Sequence, residues 1–178
     1  MTELKKIPRL NTYWYIVFVF FSIIGIVLAV NQLFSLGLFG FAPIDTTYFY
    51  LMLAFYLSGT FLIYPATSAG AGKKLPWYDA LLFLVTVTAA IYLALHGLDI
   101  IELGWEYSAP LLPTVASVLL WVLVLEAVRR STDFYMTLVC LFFGLYPLFA
   151  IYMPGFLQGQ SYDFLTTARL HAMGRNGI

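Results

Sequence analysis

Five continuous apolar stretches, each long enough to cross a lipid bilayer, dominate this sequence. They cover residues 13–36, 48–66, 77–96, 111–128 and 134–153, and none has a charged residue near its centre. A helix needs about 20 apolar residues to cross about 30 Å of hydrocarbon. Backbone groups in lipid must be hydrogen-bonded within the segment, and continuous apolar runs lack the alternation of a membrane barrel. The sequence therefore predicts an all-α fold, a polytopic membrane helix bundle of about five transmembrane helices plus short interfacial helices.

The composition agrees with a protein whose main partner is the lipid bilayer. Apolar residues make up 62% of the chain and charged residues only 10%, whereas soluble domains have about 25% charged residues. No basic run is long enough to neutralise nucleic-acid phosphates. Cys140 is the single cysteine, and the sequence has no catalytic triad, phosphate-binding glycine loop or metal-ligand spacing. We therefore expect no enzyme activity, no cofactor or metal site in this chain, and no nucleic-acid partner.

Basic residues occur in only every second connection between the apolar stretches. They are Lys5, Lys6 and Arg9 before the first, Lys73 and Lys74 between the second and third, and Arg129 and Arg130 between the fourth and fifth. The connections 37–47 and 97–110 contain no lysine or arginine. Because cytoplasmic loops are enriched in these residues, the N-terminus is predicted to be cytoplasmic. With five spans, the C-terminus is predicted to be extracytoplasmic, and Lys73, Lys74, Arg129 and Arg130 are predicted topology anchors.

Glu126 lies near the end of the fourth stretch, three and four residues before the arginine pair. This spacing puts opposite charges on one helix face. The favoured interpretation is an ion pair at headgroup depth that anchors the helix. The alternative is a ligand or gate for a coupling ion, which requires acidic partners at the same depth.

Other polar residues lie at the ends of the stretches. Asp79 falls in the first turn of the third helix, where it complements the helix dipole or pairs with Lys73 or Lys74. His96 ends the same stretch, and His171 lies in the polar tail. No ionisable residue is found in the middle of any of the five stretches.

Two further segments are predicted to lie at the membrane surface. The acidic connection containing Asp99, Glu102, Trp105 and Glu106 is either an amphipathic surface helix or a docking loop for an extracytoplasmic partner. In the tail 158–178, a short interfacial helix is predicted. Its expected apolar side consists of Tyr162, Phe164, Leu165, Ala168 and Leu170.

Three short motifs resemble the permeases of tripartite ATP-independent periplasmic (TRAP) transporters. The most specific is Leu-Glu-Ala-x-Arg-Arg at 125–130, followed by FLIYP at 61–65 and KKLPWYDALL at 73–82. The tail HAMGRNGI is similar to the lead-in to the large membrane domain of those permeases. The chain thus resembles the Q-like N-terminal membrane region of a fused permease of the TAXI type.

The resemblance implies that this chain and its partners have separate roles in transport. The Q-like region is a scaffold, an M-like transport subunit or domain binds sodium and substrate, and a periplasmic substrate-binding protein delivers the solute. The implied domains are a cytoplasmic arm 1–12, a four-helix scaffold 13–130, a linking fifth helix 131–157 and an extracytoplasmic tail 158–178. The implied location is a bacterial or archaeal cytoplasmic (inner) membrane. Two alternatives stay open, a membrane anchor of a redox complex and a small self-contained oligomeric transporter or channel.

Overall fold

The computed structural model of this protein describes residues 9–67 and 74–174, and within these ranges all regular structure is helical. Five helices are long and apolar enough to span a membrane, which confirms the predicted fold class. They are α1 (Thr12–Leu33), α2 (Asp45–Ile63), α3 (Trp77–Leu95), α5 (Leu111–Ser131) and α6 (Phe134–Phe149, extended by a 3₁₀ turn Ala150–Tyr152). Two shorter helices are α4 (Gly97–Glu102) and α7 (Phe164–Met173).

Helix ends follow local chemistry, and the largest departure from the predicted boundaries is in α2. It begins at Asp45, whose carboxylate in the first turn complements the helix dipole. It ends at Ile63 because Tyr64, which precedes Pro65, takes an extended conformation. The whole span is therefore shifted three residues toward the N-terminus relative to the predicted 48–66.

The chain divides into two compact units, residues 1–94 and 95–178. In the first unit, α1 packs along α2. A cluster of buried Leu10, Leu62 and Phe83 joins the segment before α1 to α2 and α3. The rings of Trp14 and Phe21 both contact the Phe83 ring, at centroid distances of 5.7 and 5.3 Å. Apolar and aromatic packing between the three helices therefore forms the core of this unit.

In the second unit, α7 packs against α5 and α6. The predicted tail helix is present, and of its predicted apolar side Ala168 is buried within the protein. Phe164 and Leu165 are nearly half exposed, whereas the buried positions are Thr166, Thr167, Ala168, Ala172 and Met173. Small side chains allow the close approach of two helices, and four of these five buried positions carry threonine or alanine.

The segment between α6 and α7 folds back onto the end of α6. The Tyr162 amide donates to the Pro147 carbonyl at 3.0 Å, and the Gly159 amide donates to the Ala150 carbonyl at 3.1 Å. The Tyr146 hydroxyl donates to the Leu157 carbonyl. These bonds direct α7 back along the helices it follows, so that the tail packs against the helices of its own unit.

Candidate functional site

The predicted charge cluster at the end of α5 is formed as expected from its spacing. Arg129 binds both carboxylate oxygens of Glu126, through Nε and Nη2, at 2.7 Å each. Arg130 Nε donates to Glu126 Oε1 at 2.7 Å, and the Arg130 side chain is only 2% exposed. Both arginines lie in the last turn, where cations complement the helix dipole. The geometry is that of one carboxylate ion-paired with two arginines on the same helix. Of the other two predicted anchors, Lys74 is exposed and Lys73 lies outside the described residues.

A buried ion pair that the sequence did not predict connects the N-terminal segment to α3. The guanidinium of Arg9 contacts the carboxylate of Asp79, and both residues are almost completely excluded from solvent. Arg9 Nη1 also donates to the Phe61 carbonyl in α2 at 3.4 Å. Asp79 occupies the first turn of α3, as predicted, and within the described residues it forms an ion pair with Arg9. Lys73, one of its two predicted alternative partners, lies outside the described residues. One arginine thus ties together the N-terminal segment, α2 and α3.

A second polar cluster surrounds His171 on α7. The imidazole stacks on the indole of Trp121, with ring centroids 5.6 Å apart and planes 13° apart. Its Nε2 lies 2.8 Å from the Gly144 carbonyl oxygen. Trp121 is the central residue of α5, and Gly144 is one residue from the centre of the span Phe134–Tyr152. An ionisable side chain therefore lies level with the middle of two spans, where such residues are rare and usually functional.

Arg169 belongs to the same helix and is directed toward the beginning of α5. Its Nη2 donates to the Tyr107 carbonyl at 2.9 Å and to the Thr166 hydroxyl at 2.8 Å, and its Nη1 lies 3.4 Å from the Thr114 hydroxyl. A long side chain that carries its charge toward the end of a span lowers the cost of burying that charge. Arg169 thus fastens α7 to the start of α5.

The predicted docking residues of the connection between α3 and α5 separate into two groups. Both Asp99 and Glu102 lie on α4, where Glu102 is exposed and the Asp99 side chain is 50% exposed, and Glu106 is half-buried. Trp105 is only 8% exposed and its ring meets His96 edge-on at 5.7 Å. Trp105 is therefore a packing residue of this connection, which leaves the carboxylates as its exposed polar surface.

Within residues 9–67 and 74–174, no group of three His, Cys, Asp or Glu side chains is placed to hold a metal ion. The two polar clusters that the sequence did not predict, Arg9–Asp79 and His171–Trp121, join residues far apart in the chain. The sequence signals for them were the basic group before α1, which contains Arg9, and a histidine in a tail with partial helical periodicity.

These helices define the class of protein, which is a multi-pass all-α membrane protein. No family model, curated protein or solved structure matches the chain significantly. The resemblance to TRAP permeases therefore rests on the motifs of the sequence.

Proposed function

We propose that this chain is the non-catalytic membrane scaffold of a sodium-coupled, binding-protein-dependent TRAP-type solute importer. The Leu-Glu-Ala-x-Arg-Arg motif and its two companion motifs suggest the family. The buried Arg9–Asp79 ion pair is the structural observation that best supports a scaffold. It connects three segments through charges that are costly to separate in an apolar interior. A unit fastened in this way suits a static frame more than a moving element.

The outer surfaces of the spans suit lateral packing. Within the most apolar 18-residue segment of α1, only 17% of residues are buried in the protein, and the corresponding figure for the α6 span is 6%. These faces contact lipid or a neighbouring membrane protein. In the proposed assembly the neighbour is the M-like transport subunit or domain, which binds sodium and substrate. The exposed Glu102 and the half-exposed Asp99 contribute to the surface on which the periplasmic binding protein docks.

The direct test is co-purification of this chain with an M-like protein from the same genome in a mild detergent. A stable complex, together with loss of solute uptake when this chain is deleted, supports the scaffold. A chain that stays alone in detergent, and whose deletion leaves uptake unchanged, overturns the proposal. Sequencing immediately downstream of residue 178 provides a rapid check, since the proposal requires an in-frame or adjacent M-like reading frame.

The position of His171 favours a second candidate, a self-contained oligomeric transporter. Its imidazole contacts the central residues of two spans, where a side chain that can bind a proton or polar solute serves transport. Solute or proton flux in liposomes containing this chain alone distinguishes the two candidates. The transporter predicts flux that is abolished by His171→Asn and retained in His96→Asn, whereas the scaffold alone predicts no flux.

A further inference from the structure

A groove of about 310 Å³ lies between α1 and α2 in the first unit. Its walls consist of apolar side chains from both helices and from their connection, with one polar residue, Asn31. The lining residues are Ile24, Val27, Leu28, Asn31, Leu38, Phe41, Leu51 and Phe55. The volume lies at the lower end of the range for ligand pockets, about 300–1,000 Å³.

The single polar lining residue is hydrogen-bonded within the protein at both ends of its carboxamide. Asn31 is only 4% exposed, and its Nδ2 donates to the Phe41 carbonyl at 2.9 Å. Its Oδ1 accepts a hydrogen bond from the Leu38 amide at 2.8 Å. These two bonds also hold Leu38 and Phe41 over the end of the groove. The other seven lining residues are apolar, so the interior matches a hydrocarbon ligand, because burying a polar group against them is costly.

The direction of the groove matches that of a lipid chain. It extends from Ile24 and Phe55, which are near the middle of their spans, to Asn31 at the end of α1. The seven residues from Ile24 to Asn31 correspond to about 10 Å along the helix. One leaflet provides about 15 Å of hydrocarbon. The groove is thus parallel to the acyl chains of the leaflet at the α1–α2 connection and covers most of that depth.

The π-helical turn Leu53–Leu57 lies beside this groove and places Phe55 in its wall. Single π turns within α-helices are frequent at functional sites, because the extra residue redirects the side chains on one face.

A carboxylate that is hydrogen-bonded to the residue after Asn31 distinguishes between lipid classes. Asp45 lies at the start of α2 and accepts a hydrogen bond from Gln32 at 3.2 Å. The connection 37–47 has no lysine or arginine to bind a free carboxylate. A fatty acid would bring a second negative charge close to Asp45, whereas an ammonium-bearing headgroup would be attracted to it.

We propose that this groove is a binding site for one acyl chain of a zwitterionic, ammonium-bearing phospholipid. The chain lies between α1 and α2, and the headgroup ammonium lies near Asp45. The lipid fills the space between two helices of the same unit, which distinguishes it from the exchanging lipids around the protein. This proposal is independent of the transport function.

The test uses the full chain, purified in detergent, stripped of lipid and titrated with phosphatidylethanolamine under native mass spectrometry. Val27 lines the groove and is 50% exposed, whereas Ile23 is on the same helix, is 55% exposed and lies outside the groove. Val27→Trp fills the groove and Ile23→Trp is the matched control. We expect a stoichiometric lipid complex in the wild type and in Ile23→Trp, and at least about tenfold weaker binding in Val27→Trp.

Thermal unfolding of both variants checks that each is folded. If Val27→Trp does not fold, Leu51→Trp is used in its place, because it fills the groove from the α2 side. Weaker binding of oleate than of phosphatidylethanolamine supports a phospholipid as the ligand. A smaller difference in affinity between these two ligands in Asp45→Asn supports the position of the headgroup near Asp45. Equal affinity of Val27→Trp and Ile23→Trp for phosphatidylethanolamine overturns the proposed site. Equal affinity of the wild type for oleate and phosphatidylethanolamine overturns the proposed ligand class. A dimer that Val27→Trp alone dissociates, without bound lipid in the wild type, would show that a second copy of the chain occupies the groove.

Discussion

The imidazole of His171 lies nearly parallel to the indole of Trp121, with ring centroids 5.6 Å apart. Fifty residues separate the two side chains in sequence, and the contact brings the tail helix against the centre of a membrane span. The Gly144 carbonyl holds the other edge of the imidazole at 2.8 Å. A short helix that the sequence placed at the membrane surface is thereby anchored within a helix bundle.

Removal of the His171 side chain is expected to weaken the attachment of α7. His171→Ala loses a hydrogen bond worth about 1 kcal/mol and a ring stack worth about 0.5–1.5 kcal/mol. His171→Phe retains the ring and is expected to recover part of the loss. Denaturant unfolding in detergent measures both, with Leu165→Ala on the exposed part of the same helix as the control. Equal stability of His171→Ala and Leu165→Ala would contradict the anchoring role.

The buried ion pair predicts a strongly non-additive pair of substitutions. Arg9→Met leaves the Asp79 carboxylate buried without its arginine, and Asp79→Leu leaves the Arg9 guanidinium without its carboxylate. Breaking one side of a buried pair costs about 3–5 kcal/mol, whereas replacing both partners with apolar residues is often neutral. We expect each single variant to be destabilised and Arg9→Met with Asp79→Leu to be close to the wild type.

A double-mutant cycle on the free energy of unfolding measures this coupling. Lys74→Met is the matched control, since it removes an exposed cation near the start of α3. Additive losses in the double variant would show that Arg9 and Asp79 do not depend on each other.

The start of α7 is expected to depend on pH through Asp163. This side chain is the N-cap of α7 and accepts a hydrogen bond from the Thr166 amide. Hydrogen bonding from Thr166 holds the pKa of Asp163 below its usual range. A lowered folded-state pKa means that the cap stabilises the helix above the unfolded pKa of about 3.9. The contribution is lost as the pH falls through the folded-state value.

Hydrogen exchange of the first-turn amides of α7 is the measurement, corrected for the intrinsic pH dependence of exchange. Protection is expected to fall at acidic pH in the wild type and to change little in Asp163→Asn, which caps without titrating. Asp163→Ala is expected to reduce protection at every pH. A pH response in Asp163→Asn equal to that of the wild type would assign the effect to another group.

The arginine pair at the end of α5 is predicted to determine the orientation of the helices on either side. Arg129→Glu with Arg130→Glu reverses the charge and places three carboxylates, with Glu126, at one helix end. Because cytoplasmic basic residues set orientation, insertion of α5 and α6 is expected to fail or invert. Cysteine labelling of both termini measures the topology, with Arg129→Lys and Arg130→Lys as the charge-preserving control. Unchanged accessibility in the reversed variant would contradict the prediction.

Sequence patterns were sufficient for the helices and for contacts within one helix. The apolar runs predicted all five spans, because lipid requires each helix to satisfy its own backbone hydrogen bonds. The contact of Glu126 with Arg129 and Arg130 followed from helical spacing alone. On α7 the sequence predicted an apolar side that includes Ala168, which is buried, but it gave no indication that Thr166 and Thr167 would also be buried.

The sequence by itself determined that this is a multi-pass helical membrane protein, where its helices lie and which charges meet on one helix. Only the tertiary structure decided that Arg9 pairs with Asp79, seventy residues away, and that His171 reaches the level of mid-span. The physical reason is that helix formation in lipid is governed by hydrogen bonds between residues four apart. Pairing of distant polar side chains depends on which helices pack together and on the cost of leaving a buried charge alone.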